Sequence, residues 1–184
     1  MGPALFAAEH DPLSYPPRLV AGVSLVTDSS PQFLKPGANL RAGVAIAGVP
    51  PAVDFMFYPN QDHPGNPWSV WGNGSVAGMK YYSAIGDHLG PKGTAKVFEY
   101  DASAKTIRQL VDVHAFLDSV HAIPPNMDYS PGKIHSRIQM GGDGWLYYAT
   151  HRGLEPAADD KHGYRGDWIL RTHPPSGMTE MCSA

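Results

Sequence analysis

Three imidazoles in this chain sit where chemistry could be done: His88 beside Asp87, His135, and His151 beside Arg152. Each lies at or near the end of a segment that reads as the first or second strand of a β-hairpin. A neutral histidine binds a divalent cation through a ring nitrogen, and a carboxylate such as Asp87 extends such a ligand set. A Ca²⁺ or Mn²⁺ ion held by Asp87, His88, His135 and His151 would acidify a water or a carbon-bound proton. That is what lactone hydrolysis and β-elimination from an acidic polysaccharide need. Arg137 or Arg152 would then grip a substrate carboxylate through paired hydrogen bonds. The plainer reading is that these groups hydrogen-bond to neighbouring strands and loops. Between the two stands ligand binding without catalysis by His88, His135, Arg137, His151 and Arg152.

Other candidates carry less. His114, Asp118 and His121 fall at i, i+4 and i+7 of a short helical pattern, a spacing open to a metal but explained more cheaply as a solvated helix face. Cys182 is the single cysteine, so it forms no intrachain disulfide, and no nucleophile motif surrounds it. Gly72-Asn73-Gly74-Ser75-Val76-Ala77-Gly78 brushes against a dinucleotide fingerprint, but the last spacing is wrong and a strand follows where a helix is required. The chain has neither a Gly-x-Ser-x-Gly elbow nor a P-loop.

The elements that must position these residues are strands. Between Ser130 and Gly153, β-branched and aromatic runs flank Gly141-Gly142-Asp143-Gly144, a turn expected to use positive φ angles. An earlier stretch matches it: Trp68–Trp71, a Gly-rich turn, then Lys80–Ala84. Both second strands carry Tyr-Tyr-small, as Tyr81-Tyr82-Ser83 and Tyr147-Tyr148-Ala149. Ala95–Tyr100 and Thr106–Val113 supply two more strands to the first group, and Asp167–Thr172 and Met178–Cys182 two more to the second. The third strands align as Lys96–Asp101 on Trp168–His173. Asp112 is placed to cap a short helix with Val113, Phe116, Leu117 and Val120 inward, ended by Pro124-Pro125. About three in four of the strand aromatics should be packing, which leaves one or two of Tyr81, Tyr82, Trp145, Tyr147 and Tyr148 for a sugar-stacking platform.

Composition agrees. Gly 20 and Pro 18 exceed a fifth of 184 residues, which favours turns and short strands over helices. A net charge of −3 leaves no electrostatic footprint for nucleic acid or an anionic membrane. No stretch has the length of a membrane span. Pro3–Ala8 is apolar but too short for a signal-peptide core. Residues 1–39 read as an irregular Pro-rich leader, with Leu19–Val26 a candidate strand. The region 40–184 divides into a first four-strand unit at about 66–113, a helix-bearing insertion at 114–130, and a second unit at about 131–184.

Four antiparallel strands used twice describe β-propeller blades, each unable to bury both of its faces alone. The expected class is therefore all-β: a partial β-propeller of about two blades with an irregular N-terminal segment. The competing fold is one β-sandwich of eight to ten strands. The segments MGGDGWLYYATHRG, SPGKIHSRI and GYRGDWILRTHPPSG resemble bacterial propeller proteins of the lactonase, gluconolactonase-like and NHL-like kind. NPWSVWGNGS, KYYSAIGDHLGPKG and AKVFEYDASAK are similar to stretches of large secreted propellers of environmental bacteria. The resemblance implies a secreted or periplasmic location and a ligand site in a central funnel. It also implies further blades, from another chain or a longer gene product. Two functions stay open: a non-catalytic scaffold or binding module for a partner or carbohydrate, and a metal-dependent lyase or lactonase acting on an acidic sugar.

Overall fold

The computed structural model describes residues 18–61, 68–70, 72–87, 93–123, 131–151 and 166–183. They form two compact units, one ending at Phe57 and one beginning at Tyr58. In the first, strands β1 (Val26–Asp28) and β2 (Val53–Phe55) pair antiparallel, with the Thr27 hydroxyl donating to the Asp54 carboxylate. Leu19–Val26 is not a strand: Val20–Gly22 is a 3₁₀ turn in which Ala21 and Gly22 take positive φ. Val44 and Val49 are exposed, and no described residue of this unit is buried.

Among the described residues the second unit is all-β apart from one helix. Its first sheet contains β3 (Trp68–Ser69), β4 (Ser75–Ala77), β5 (Lys80–Asp87), β6 (Ala95–Asp101) and β7 (Thr106–Asp112). Both β3 and β4 pair with β5, so together they act as one interrupted first strand of a four-position antiparallel meander. Helix α1 (Val113–Ser119) follows. The second sheet repeats the order with β8 (Lys133–Ile134), β9 (Gln139–Met140), β10 (Leu146–His151), β11 (Ile169–His173) and β12 (Met178–Ser183). Again β8 and β9 both pair with β10. Each sheet draws on one continuous stretch, 68–112 for the first and 133–183 for the second, and both are open among the described residues.

The repeat holds at residue level in the second strands. Tyr82 and Tyr148 are both buried, while Tyr81 and Tyr147 point the other way, each with its ring over a glycine, Gly74 and Gly141. The third strands are one residue out from the sequence match. Tyr82 sits opposite Glu99 and Tyr148 opposite Leu170, so Glu99 corresponds to Leu170 and not to Arg171. The cause is a longer second hairpin: its four-residue turn is flanked by His173 and Met178, one pair beyond Thr172 and Thr179. A one-residue slip exchanges the two faces of a strand, so it decides which side chains of β11 reach the core.

Tyr82, Ala84, Val97 and Val111 of the first sheet share one core with Ile134, Ile138, Leu146, Tyr148, Trp168 and Leu170 of the second and with Val113 and Leu117 of α1. Asp112 caps the helix as its sequence suggests, accepting the Ala115 N–H. The helix stops at Ser119, however. Val120 is exposed and His121 has a φ of 54°, so His121 leaves the helical line of His114 and Asp118.

The sheets touch backbone to backbone where β5 and the β3–β4 connection of the first meet the β8 edge of the second. A Cβ on Gly86 would lie 2.1 Å from the Gly132 carbonyl oxygen, and one on Gly72 would lie 2.4 Å from that of Ser136. The Ile138 N–H donates to the Asn73 carbonyl at 2.9 Å. Farther out the link is a long side chain. Arg108 donates to the Pro174 carbonyl and, at 2.8 Å, to the Glu99 carboxylate, which also accepts from Lys80 and the Tyr82 hydroxyl. Burial pushes the Glu99 carboxyl up, but the Arg108 and Lys80 hydrogen bonds and charges outweigh it and hold it below its ordinary range. The opposite face of the first sheet is closed by its own chain: Tyr58 stacks on the fully buried Phe98 and bonds Ser83, and Lys96 donates to the Asn60 carbonyl.

Two outcomes follow from this packing. Gly86→Ala should cost about 2–3 kcal/mol or more, because backbone must move, whereas Gly142→Ala, with open space around it, should be near neutral by urea denaturation. Glu99 has a depressed folded-state pKa, so the stability it contributes is full above its ordinary value of 4.5 and is lost as pH falls through the folded value. Melting temperature measured against pH should show this acid limb, and Glu99→Gln should flatten it.

Candidate functional site

The side of the second sheet that carries Tyr147, Ala149 and His151 is half-exposed, in contrast to the buried side carrying Leu146, Tyr148 and Thr150. Cross-strand register puts Arg171 opposite Tyr147 and Ile169 opposite Ala149, with Glu180 and Met178 beside Arg171 and His173 on β12. Ile169 and Met178 are 47% and 49% exposed, so this side stays accessible.

At the turn end of this face, planar groups form a row. The Arg171 guanidinium lies 4.4 Å above the Trp145 ring, and the His173 ring is 5.3 Å from Trp145. Arg171 also donates to the Tyr147 hydroxyl oxygen and to Glu180, the latter from Nε and Nη2 to the same carboxylate oxygen. Those two acceptors raise the Arg171 pKa above its ordinary value, Tyr147 contributing most. The Tyr147 hydroxyl donates at 2.7 Å to Asp143, whose other oxygen accepts the Trp145 N–H. Both bonds hold the Asp143 carboxyl below its usual range, Tyr147 again first. Gly144 supplies the positive φ of the turn at 83°. Gly141 is there for a different reason, since a Cβ would meet Asp143 Oδ1 at 2.5 Å and the Tyr147 ring at 2.8 Å. His173 Nδ1 lies 2.9 Å from the Ser176 hydroxyl, which fixes its ring.

At the other end of the face, His135 and His151 come together, their rings 5.0 Å apart and nearly perpendicular. His151 pairs across the strands with Lys133. Arg137 is exposed in the segment between β8 and β9. Asp87 closes β5 opposite Trp68. His88 and Arg152 lie outside the described residues, so two of the four proposed metal ligands are brought together. Among the described residues no group of three His, Cys, Asp or Glu side chains converges on one point. Nor is any described helix long and apolar enough to cross a membrane.

Sequence reasoning had Trp145 and Tyr147 as platform candidates but missed Asp143, Arg171, His173 and Glu180. Asp143 was within reach, since it precedes Tyr147 by four residues across a glycine turn. Arg171 and Glu180 were not, because their place depends on the one-residue register of β11. The chain matches no family model, no curated protein and no solved structure.

The row should hold together as a unit. Arg171→Ala removes a stacked cation and a half-exposed ion pair at once, and should lower the urea midpoint by a small but measurable amount. Arg171→Lys should recover less than half of that, because an ammonium cannot reproduce the planar fork.

Proposed function

We propose that this chain is a non-catalytic binding module, built on two β-propeller-type blades of the lactonase-, gluconolactonase- and NHL-like kind, that takes a carbohydrate or a partner on the open face of its second sheet. The blade reading is supported by the repeated four-position meander with an interrupted first strand. It is also supported by the wedge between the sheets, closed at Gly72 and Gly86 and spanned by Arg108 farther out. Sheets packed as a sandwich stand about 10 Å apart throughout, and backbone contact between β5 and the β8 segment does not fit that spacing. The binding reading rests on one observation: Tyr147, Arg171 and His173 are held in place by hydrogen bonds, and Trp145 by its contacts with Arg171 and His173, on an accessible face. Recognition groups ordered in advance lose little entropy when a ligand arrives.

A second reading, a metal-dependent lyase or lactonase acting on an acidic sugar, draws on the 5.0 Å approach of His135 and His151. Amide-resolved titration of the ¹⁵N-labelled chain with oligosaccharides separates the two. The module reading expects shifts centred on Trp145, Tyr147, Arg171 and His173 with the sugar recovered intact. Conversion of the sugar, dependent on Mn²⁺ or Ca²⁺ and lost in His135→Ala or His151→Ala, would replace it by the enzyme reading.

A further inference from the structure

From the charge and size of the planar row we infer that its ligand is a neutral saccharide, a conclusion that rests on the binding-module reading above. Three ionised groups belong to the row. Arg171 carries one positive charge, and Glu180 and Asp143 carry one negative charge each, so the carboxylates outnumber the guanidinium by one. The fork of Arg171 is already engaged with Glu180 and with the Tyr147 oxygen. A uronate or a phosphorylated sugar would therefore meet net repulsion and find the paired Nε/Nη2 fork already taken by Glu180, with only single outer N–H groups left to donate. Neutral sugar hydroxyls are donors, and the Asp143 and Glu180 carboxylates keep lone pairs able to accept from them. The C–H face of a sugar ring matches the half-exposed ring surface of Trp145 and Tyr147 that Arg171 leaves uncovered, with His173 beside it.

Size argues the same way against a protein occupant. Four strand positions about 4.8 Å apart and about six residues long give a face of roughly 400 Å². A stable protein interface takes about 800 Å² from each partner. A short oligosaccharide needs no more than the row itself.

The test uses the full chain and three probes: cellotetraose and maltotetraose as neutral oligomers, and tetragalacturonate as the acidic one. Tryptophan fluorescence and ¹⁵N shifts are followed for wild type, Trp145→Ala and Asp143→Asn. The assignment predicts saturable shifts at the row with at least one neutral oligomer, affinity about tenfold weaker in Trp145→Ala, and no saturation with the acidic oligomer. It also predicts that Asp143→Asn, by removing one carboxylate charge, brings acidic-oligomer binding closer to neutral. If Trp145→Ala fails to fold, Asp143→Asn and the acid-versus-neutral contrast in wild type still decide the matter. Tighter binding of tetragalacturonate at the row overturns the neutral-ligand inference while the module reading stands. Absence of saturable shifts with either neutral oligomer overturns it too. Shifts spread over Ala149 and Ile169 that depend on protein concentration and not on sugar would mean that a second copy covers the face, and that also overturns it.

Discussion

The organisation of the second unit depends on how closely two backbones are allowed to approach. Gly86 faces the Gly132 carbonyl and Gly72 faces the Ile134 and Ser136 carbonyls, with no room for a methyl group at either place. That contact sets β5 and the β3–β4 connection of the first sheet against the β8 edge of the second. Everything farther from it is filled by side chains: Tyr82, Val97 and Val111, then the helix residues Val113 and Leu117, and at the rim Arg108 reaching to Pro174. The Glu99 carboxylate shows what this costs electrostatically. A buried charge is tolerated there because Arg108, Lys80 and Tyr82 all donate to it, and removing a partner would leave it stranded.

With the sheets fixed in this way, the proposed binding role falls to the accessible side of the second sheet. One side of the first sheet turns into the shared core, and the other is covered over Ser83, Phe98 and Lys96 by Tyr58 and Asn60. In the second sheet Leu146, Tyr148, Thr150, Leu170 and Thr172 are buried, and the Tyr148 hydroxyl joins a chain of hydrogen bonds through Thr172 to Thr179. The alternate residues are left to face outward. Their planar groups are braced against one another, so the row is ordered before any ligand meets it.

Much of this was legible from local chemistry. The Tyr-Tyr-small repeat, the glycine turns and the Asp112 cap each act over a few residues, and each led to the right element. The glycines were read less well. Of the four turn residues Gly141–Gly144, only Gly144 takes a positive φ; Gly141 is small because the Tyr147 ring lies over it, a cross-strand fact. The third strands were matched on their turns, and the longer second hairpin moved the true register by one residue. For that reason Arg171, which matched buried Glu99 in sequence, faces outward. His121 dropped out of the helical line because the helix ends two residues before it and the chain turns to positive φ. The imidazole set was legible in part: His135 and His151 meet because β8 pairs with β10, a long-range pairing that the hairpin pattern suggested.

The central claim is the backbone contact that joins the two sheets, and it can be measured in solution. The position a Gly86 Cβ would occupy is 3.1 Å from the Lys133 Cα. Nuclear Overhauser spectra of the chain should therefore show a strong cross-peak between a Gly86 methylene proton and the Lys133 α-proton. If the Gly86 protons are assigned and their α-proton contacts are confined to Ala95 and other residues of the first sheet, β5 and β8 do not meet and this account of the fold is wrong.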